Sequence, residues 1–264
     1  MSVVLHVSDP HFGTEQTPVV EALIGLARQQ QPDLVVLSGD ITQRARAAQF
    51  DAARRFVDRL AAPTVVIPGN HDIPLFNFVA RLARPYGGFC AAFGDELEPV
   101  HRSHQLLVIC LNTTRWYRHK DGEVSADQVE RVSAELARAS PTQLRIVVVH
   151  QPAAVLREID AHNRLRGYGE ALRRWAAAGA DLVMGGHIHL PYVMTAQEVP
   201  RALWVVQAGT AVSSRVRAGT ANSVNLVRWH GDAGDGLCHV EQWDYAGDQR
   251  SFVPGPCTPL RPAR

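Results

Sequence analysis

Five short polar clusters carry side chains able to do chemistry together: Asp9-Pro10-His11, Gly39-Asp40, Gly69-Asn70-His71-Asp72, His150 and Gly185-Gly186-His187-Ile188-His189. Between them, Asp9, His11, Asp40, Asn70, His150, His187 and His189 offer carboxylate, imidazole and amide oxygen and no thiolate. Such donors suit divalent Mn, Fe, Zn or Co better than a soft metal or a closed structural zinc site. Seven protein ligands are too many for one ion, so one carboxylate must bridge two. Asp40 is the natural bridge because it follows a middle strand. Two cations held a few ångströms apart activate water and neutralise a phosphate.

Each cluster follows an apolar run that reads as a buried strand: Val3–Val7, Leu34–Leu37, Thr64–Ile67, Leu144–Val149 and Asp181–Met184. Continuous β-branched runs are expected of strands covered on both faces. Ligand sites in such open sheets lie beyond the carboxyl ends of the strands. Five clusters spread between residues 9 and 189 are therefore expected to meet at one edge.

In this order, D-x-H, G-D, G-N-H-[DE], H and G-H-x-H, the clusters resemble the calcineurin-like metallophosphoesterase superfamily, and no motif departs from the pattern. Within it the chain looks most like bacterial enzymes related to the class III cyclic-nucleotide phosphodiesterases. The segment Ala208-Gly209-Thr210-Ala211, followed by Asn222-Ser223-Val224-Asn225, is also similar to the late region of bacterial members. D-x-H or G-D alone is weak; all five blocks in order, each after a strand, are specific.

The resemblance implies two divalent metal ions. Asp9, His11 and His189 would hold the first and Asn70, His150 and His187 the second, with Asp40 shared. A metal-bridging hydroxide would attack phosphorus. His71 is implied as a catalytic group over the substrate phosphate, with Asp72 either orienting its ring or capping the following segment. The implied activity is hydrolysis of phosphodiesters, 3′,5′-cyclic nucleotides among them. A phosphomonoesterase (phosphoprotein phosphatase included), a nucleotide pyrophosphohydrolase and a non-catalytic metal-binding scaffold are the competing readings. Of the other histidines, His6 reads as a core residue, and His101, His104, His119, His230 and His239 as surface or strand-face residues.

Composition narrows the partners. A formal net charge of +1 gives no broad footprint for nucleic acid or anionic membrane, so a small phosphodiester is the expected partner. The oligomeric state stays open. Cys90, Cys110, Cys238 and Cys257 show no C-x-x-C pairing and make no disulfide framework. The chain starts on its first strand with no signal-peptide pattern ahead of it, and a cytoplasmic location is expected.

The first half alternates strands with helices. Thr17-Pro18 reads as a cap with proline at the first helical position. Residues 44–61, a helix opened by the Ser125–Gln128 capping box, and residues 167–178 follow. From residue 190, runs at 192–198, 202–208, 222–230 and 237–245 read as an antiparallel meander making a second sheet. One domain over 1–250 and a proline-rich extended tail over 251–264 complete this reading. The four-layer α/β/β/α sandwich, two mixed sheets flanked by helices, is what the resemblance implies. Substrate choice is expected in loops 73–96, 112–122 and 151–168. Arg215 and Arg217 read as surface residues.

Overall fold

The computed structural model describes residues 1–231 and 236–263. Two six-stranded sheets stack face to face. The first runs β12-β11-β10-β1-β2-β3, with β1 at Ser2–Val7, β2 at Leu34–Leu37, β3 at Thr64–Val66, β10 at Ser223–Trp229, β11 at Cys238–Ala246 and β12 at Ser251–Leu260. The second runs β4-β5-β6-β7-β9-β8, with β4 at Val100–Arg102, β5 at Leu106–Cys110, β6 at Leu144–Val148, β7 at Leu182–Gly185, β8 at Tyr192–Thr195 and β9 at Trp204–Gln207.

Alternation along a single strand explains the layers. Leu34 and Val36 of β2 pack between the sheets with Val108, Ile146, Leu182 and Val206. Val35 and Leu37, pointing the other way, pack under helices α1 (Thr17–Gln30) and α2 (Ala47–Arg59) with Leu23, Ile24, Phe50 and Phe56. The second sheet is covered likewise by α5 (Ala126–Ala137) and α6 (Tyr168–Ala178), through Val132, Leu136, Leu172 and Trp175. The result is the four-layer sandwich. Two short helices, α3 (Phe78–Ala83) and α4 (Gly87–Phe93), lie between β3 and β4 in sequence.

Local signals locate the helix starts closely. Gln128 N–H donates to Ser125 Oγ at 3.1 Å, and the Gln128 side chain accepts from Ser125 N–H at 3.0 Å, a reciprocal capping box. For α1 the cap residue is Gln16 rather than Thr17, with Pro18 still in the first turn.

The late strands do not form one meander. β8 and β9 pair antiparallel and finish the second sheet, where β9 is parallel to β7. The chain then crosses over, and β10 pairs antiparallel with β1 in the first sheet. Alternation and short turns specify the hairpins but carry no information on which sheet receives them. The segment beyond residue 250 also differs from a surface tail. β12 pairs with β11 from Ala246↔Ser251 to Cys238↔Leu260, and Arg264 lies outside the described residues. Pro254, Pro256 and Pro259 are tolerated because β12 is an edge strand, where missing N–H donors are cheapest. Among the described residues no helix is long and apolar enough to cross a membrane, and the four cysteines are free thiols.

Candidate metal centre

The carboxyl ends of β1, β2 and β3 deliver Asp9, Asp40 and Asn70 from the first sheet. The ends of β6 and β7 deliver His150, His187 and His189 from the second. Donor atoms of Asp9, His11 and His189 lie within 4.8 Å of one another, as do those of Asp40, His150 and His187. His150 Nε2 is 3.3 Å from Asn70 Oδ1 and 3.2 Å from Asp40 Oδ1, which places Asn70 with the second group. His11 Nε2 is 3.7 Å from Asp40 Oδ2 and 3.8 Å from Asp9 Oδ1, so Asp40 faces both groups.

Local backbone geometry makes these approaches possible. Asp9, His11, Asp40, His187 and His189 all have positive φ, between 43° and 73°. Non-glycine residues in that region cost free energy, and such strain collects where surrounding structure over-determines a functional geometry. Glycines clear the space beside them. A Cβ on Gly69 would stand 2.0 Å from Asp40 N, and one on Gly186 would stand 1.9 Å from Ser8 Oγ and 2.4 Å from Asp9 Oδ2. That is the physical content of the glycine in G-N-H and G-H-x-H.

The donor set fits cations. His150 Nδ1–H donates to the Ser38 carbonyl at 2.9 Å, and His189 Nδ1–H donates to the Arg215 carbonyl at 2.5 Å. Both rings thereby turn Nε2 to the centre, the nitrogen that would bind a metal in place of its proton. His189 Nε2 then faces His11 Nε2 at 3.1 Å, a pairing of ring nitrogens that a cation between them satisfies. His187 Nδ1 is buried with no hydrogen-bond partner.

Charge points the same way, since Asp9 and Asp40 are at most 2% exposed. Burial alone pushes both carboxyls up. The histidines beside them, His189 for Asp9 and His150 for Asp40, reverse this and hold both below the ordinary carboxylate range. Burial lowers His150, yet Asp40 and Asp9 lift it to about 9, a proton supplying the positive charge that the carboxylates demand. Burial keeps His11 and His187 neutral, with pKa values pushed down to about 3.

His71 and Asp72 occupy different positions. His71 also lies within ligand distance of His11 and Asp40, and its Nδ1–H donates to the Gln43 carbonyl at 2.9 Å. Gln43, not Asp72, thus orients the ring. The Asp72 carboxylate instead accepts from Gly69 N and Thr42 N at 2.8 Å, Ile41 N at 3.0 Å and Thr42 Oγ1 at 2.8 Å. It ties the loop after β3 to the loop after β2, in a site where burial and Asp40 raise its pKa to about 6 against those hydrogen bonds.

A cleft of about 390 Å³ opens over the centre. Each of the three loops expected to govern substrate choice reaches it: Ile73, Leu75 and Phe76 from the first, His119 and Lys120 from the second, and Asn163 from the third. Gln43, Arg44 and Arg215 also line it, and sequence reasoning missed all three. Arg215 read as a surface residue because it follows no strand-end motif; its position depends on the crossing from β9 to β10. His6 is a core residue, its Nε2 2.8 Å from Ser38 Oγ and its Nδ1 3.5 Å from Asn225 Nδ2.

Fold and site together define a metallophosphoesterase. Residues 2–191 match the family model for calcineurin-like phosphoesterases, and the chain belongs to that family of metal-dependent phosphoric ester hydrolases, which work with a dinuclear divalent metal centre. It is similar to a Synechococcus protein described as a probable cyclic nucleotide phosphodiesterase, 30% identical over 69% of this chain and 67% of the relative. It is also similar to the 3′,5′-cyclic adenosine monophosphate phosphodiesterase of Escherichia coli K12, at 25% over 72% of this chain and 67% of that one. These matches span about two thirds of the relatives' own length. In fold, a dimetal phosphatase from Danio rerio superposes with a TM-score of 0.68, 11% identity and 99% of each chain covered.

Proposed function

We propose that this chain is a dinuclear metal-dependent phosphodiesterase whose substrates include 3′,5′-cyclic nucleotides. The observation that carries the reading is the position of His71. Its Nδ1–H is tied to Gln43, and the ring lines the cleft beside Asp40, Asn70 and His187. A diester leaves as an alkoxide, a poor leaving group, so an imidazole placed over the phosphate has a proton-transfer task that a simple electrostatic clamp does not meet. The relatives described as cyclic nucleotide phosphodiesterases support the same choice.

Asp9, His11 and His189 would hold one ion and Asn70, His150 and His187 the other, with Asp40 shared. The oxygen and imidazole donors select Mn, Fe, Zn or Co. Bound there, the ions would supply an activated water and neutralise phosphate charge. The chain's own residues do the rest. Ser38 and Arg215 carbonyls fix the tautomers of His150 and His189, and Asp72 locks the loops carrying Asp40 and Asn70. The cleft falls within the size range of small-molecule sites, which fits a mononucleotide better than a polymer.

The test is hydrolysis of bis(p-nitrophenyl) phosphate against p-nitrophenyl phosphate by Mn²⁺-reconstituted protein, with Asn70→Ala as control, followed by cyclic nucleotides. A diester preference that disappears in the variant is the expected result. Preference for the monoester would move the assignment to a phosphatase.

A further inference from the structure

The segment joining β9 to β10 brings two arginines to the site, and they are partnered differently. Arg217 is neutralised: its guanidinium donates to both Asp160 carboxylate oxygens at 3.0 Å and to the Ile188 carbonyl at 3.3 Å. Arg215 has no carboxylate partner among the described residues. Its Nη1 lies 3.0 Å from Gln43 Oε1, 3.2 Å from His71 Nε2 and 3.4 Å from His11 Nδ1. All of its side-chain hydrogen bonds among the described residues run through Nη1, leaving the other donors of the fork uncommitted.

We propose that Arg215 is a catalytic residue that binds the non-bridging phosphoryl oxygens of the substrate. The inference rests on the phosphoesterase reading above and adds a group to it. Two of the three contacts of Nη1 are poor competitors for an anion. His71 Nε2, 3.2 Å away, carries no negative charge and holds a guanidinium less well than an anionic oxygen does. His11 turns Nε2 towards Asp9 and Asp40; once that nitrogen is a ligand, Nδ1 bears the hydrogen and meets the guanidinium donor to donor. Phosphoryl oxygens are charged acceptors and match the planar fork of arginine. When Nη1 moves to them, His71 Nε2 is left facing the substrate.

The base of the side chain is held for this task. Arg215 N–H donates to Ser213 Oγ at 3.2 Å, and the Arg215 carbonyl accepts from Thr210 Oγ1 at 2.8 Å and from His189 Nδ1 at 2.5 Å. One residue thus holds the His189 ring with its carbonyl and presents a cation to the cleft with its side chain. In the reaction a water oxygen forms the new bond to phosphorus as the bond to one ester oxygen breaks. One water proton ends on the departing oxygen and the other stays with the phosphate product. Arg215 exchanges no proton and offsets phosphoryl charge throughout.

The experiment compares full-length wild type, Arg215→Ala and Arg215→Lys, each loaded with Mn²⁺ and assayed for metal content. The readouts are the affinity for inorganic phosphate by calorimetry and kcat and KM on bis(p-nitrophenyl) phosphate. Arg215→Ala is expected to keep its metal, because the carbonyl that holds His189 is backbone. Its kcat should fall about 100-fold, the scale of one oxyanion donor, and phosphate binding should weaken by about tenfold, with part of both recovered by added guanidinium. Unchanged phosphate affinity at equal metal content would overturn the proposal. If the alanine variant loses metal, Arg215→Gln decides: it keeps much of the side chain but not the charge, and a phosphate affinity equal to wild type at equal metal content sinks the assignment, whereas the lysine variant should recover part of the binding. Wild type that binds phosphate through Arg215 yet hydrolyses no diester would remove the phosphodiesterase reading and leave this site standing. Diester turnover with Arg215-independent phosphate binding would do the reverse.

Discussion

Asp9, His11 and His150 are fully buried, whereas Phe76, Phe78 and Val79, in the segment that borders the same cleft, are 70–78% exposed. The first group is fixed by strand ends packed on both faces and, at Asp9 and His11, by left-handed backbone that the surrounding fold sustains. Phe78 and Val79 sit on α3, which buries no side chain of its own, and Phe76 precedes it. That segment is held mainly through Arg81, whose guanidinium reaches the carbonyls of Trp116 at 2.6 Å, Pro74 at 3.1 Å and Arg118 at 2.6 Å. The contrast teaches where reaction and selection reside. The residues proposed for the chemistry are secured by packing, and those proposed for selection lie on segments tied by polar contacts, where substitution is expected to leave the centre undisturbed.

Attacking the buried half should have the largest effect. Asp40→Ala removes the carboxylate that faces both ligand groups and leaves His150 without the nearest of the charges that lift it. Turnover should fall to background, and bound metal should drop below about two ions per chain by elemental analysis, since a dinuclear centre needs both. Retention of both ions would break the comparison.

Gly186→Ala probes the same region through shape alone. Its Cβ would collide with Ser8 Oγ and the Asp9 carboxylate. Metal affinity should weaken about 10–100-fold, the usual scale for disturbing groups that support ligands, as read by competition with a chelating dye.

Asp72→Asn reports on the tie between the two loops. The amide cannot accept from all of the donors of Gly69, Ile41 and Thr42. Unfolding by urea should show a loss on the order of 3 kcal/mol, the cost of buried donors left unpaired.

Phe76→Ser should do least to the fold and most to selection. Its ring is solvent-exposed, with Arg44 5.3 Å from its centroid. Stability should stay within about 0.5 kcal/mol of wild type. KM ratios between bis(p-nitrophenyl) phosphate and a cyclic nucleotide should shift, with metal content unchanged. A loss of metal would show that rim and centre are not separable.

The same division explains what was legible in the sequence. That the polar clusters meet at one edge could be read because each is short, contiguous and placed immediately after a run whose β-branched character marks a buried strand. The capping box at Ser125 is equally local. Arg215, Gln43 and Arg44 could not be read, because their roles depend on a crossover between sheets and on a loop folding over His71. Which sheet receives β8–β9 and which receives β10–β12 is likewise decided by packing at long range. β12 was obscured for another reason: its prolines suppress the strand signal, although an edge position makes them acceptable.

With the proposed ligands drawn from both sheets, ion occupancy and sheet docking would be one equilibrium. Asp9, Asp40 and Asn70 belong to one layer and His150, His187 and His189 to the other, so ions bound among them act as a clasp. A protein of this build has no single thermal midpoint; the midpoint is a function of free metal. Ligation at a hundredfold excess over the dissociation constant adds about 2.7 kcal/mol per ion, provided the unfolded chain does not compete. Chelation should therefore speed amide exchange first at the facing ends of β1 and β6, before the sandwich as a whole opens.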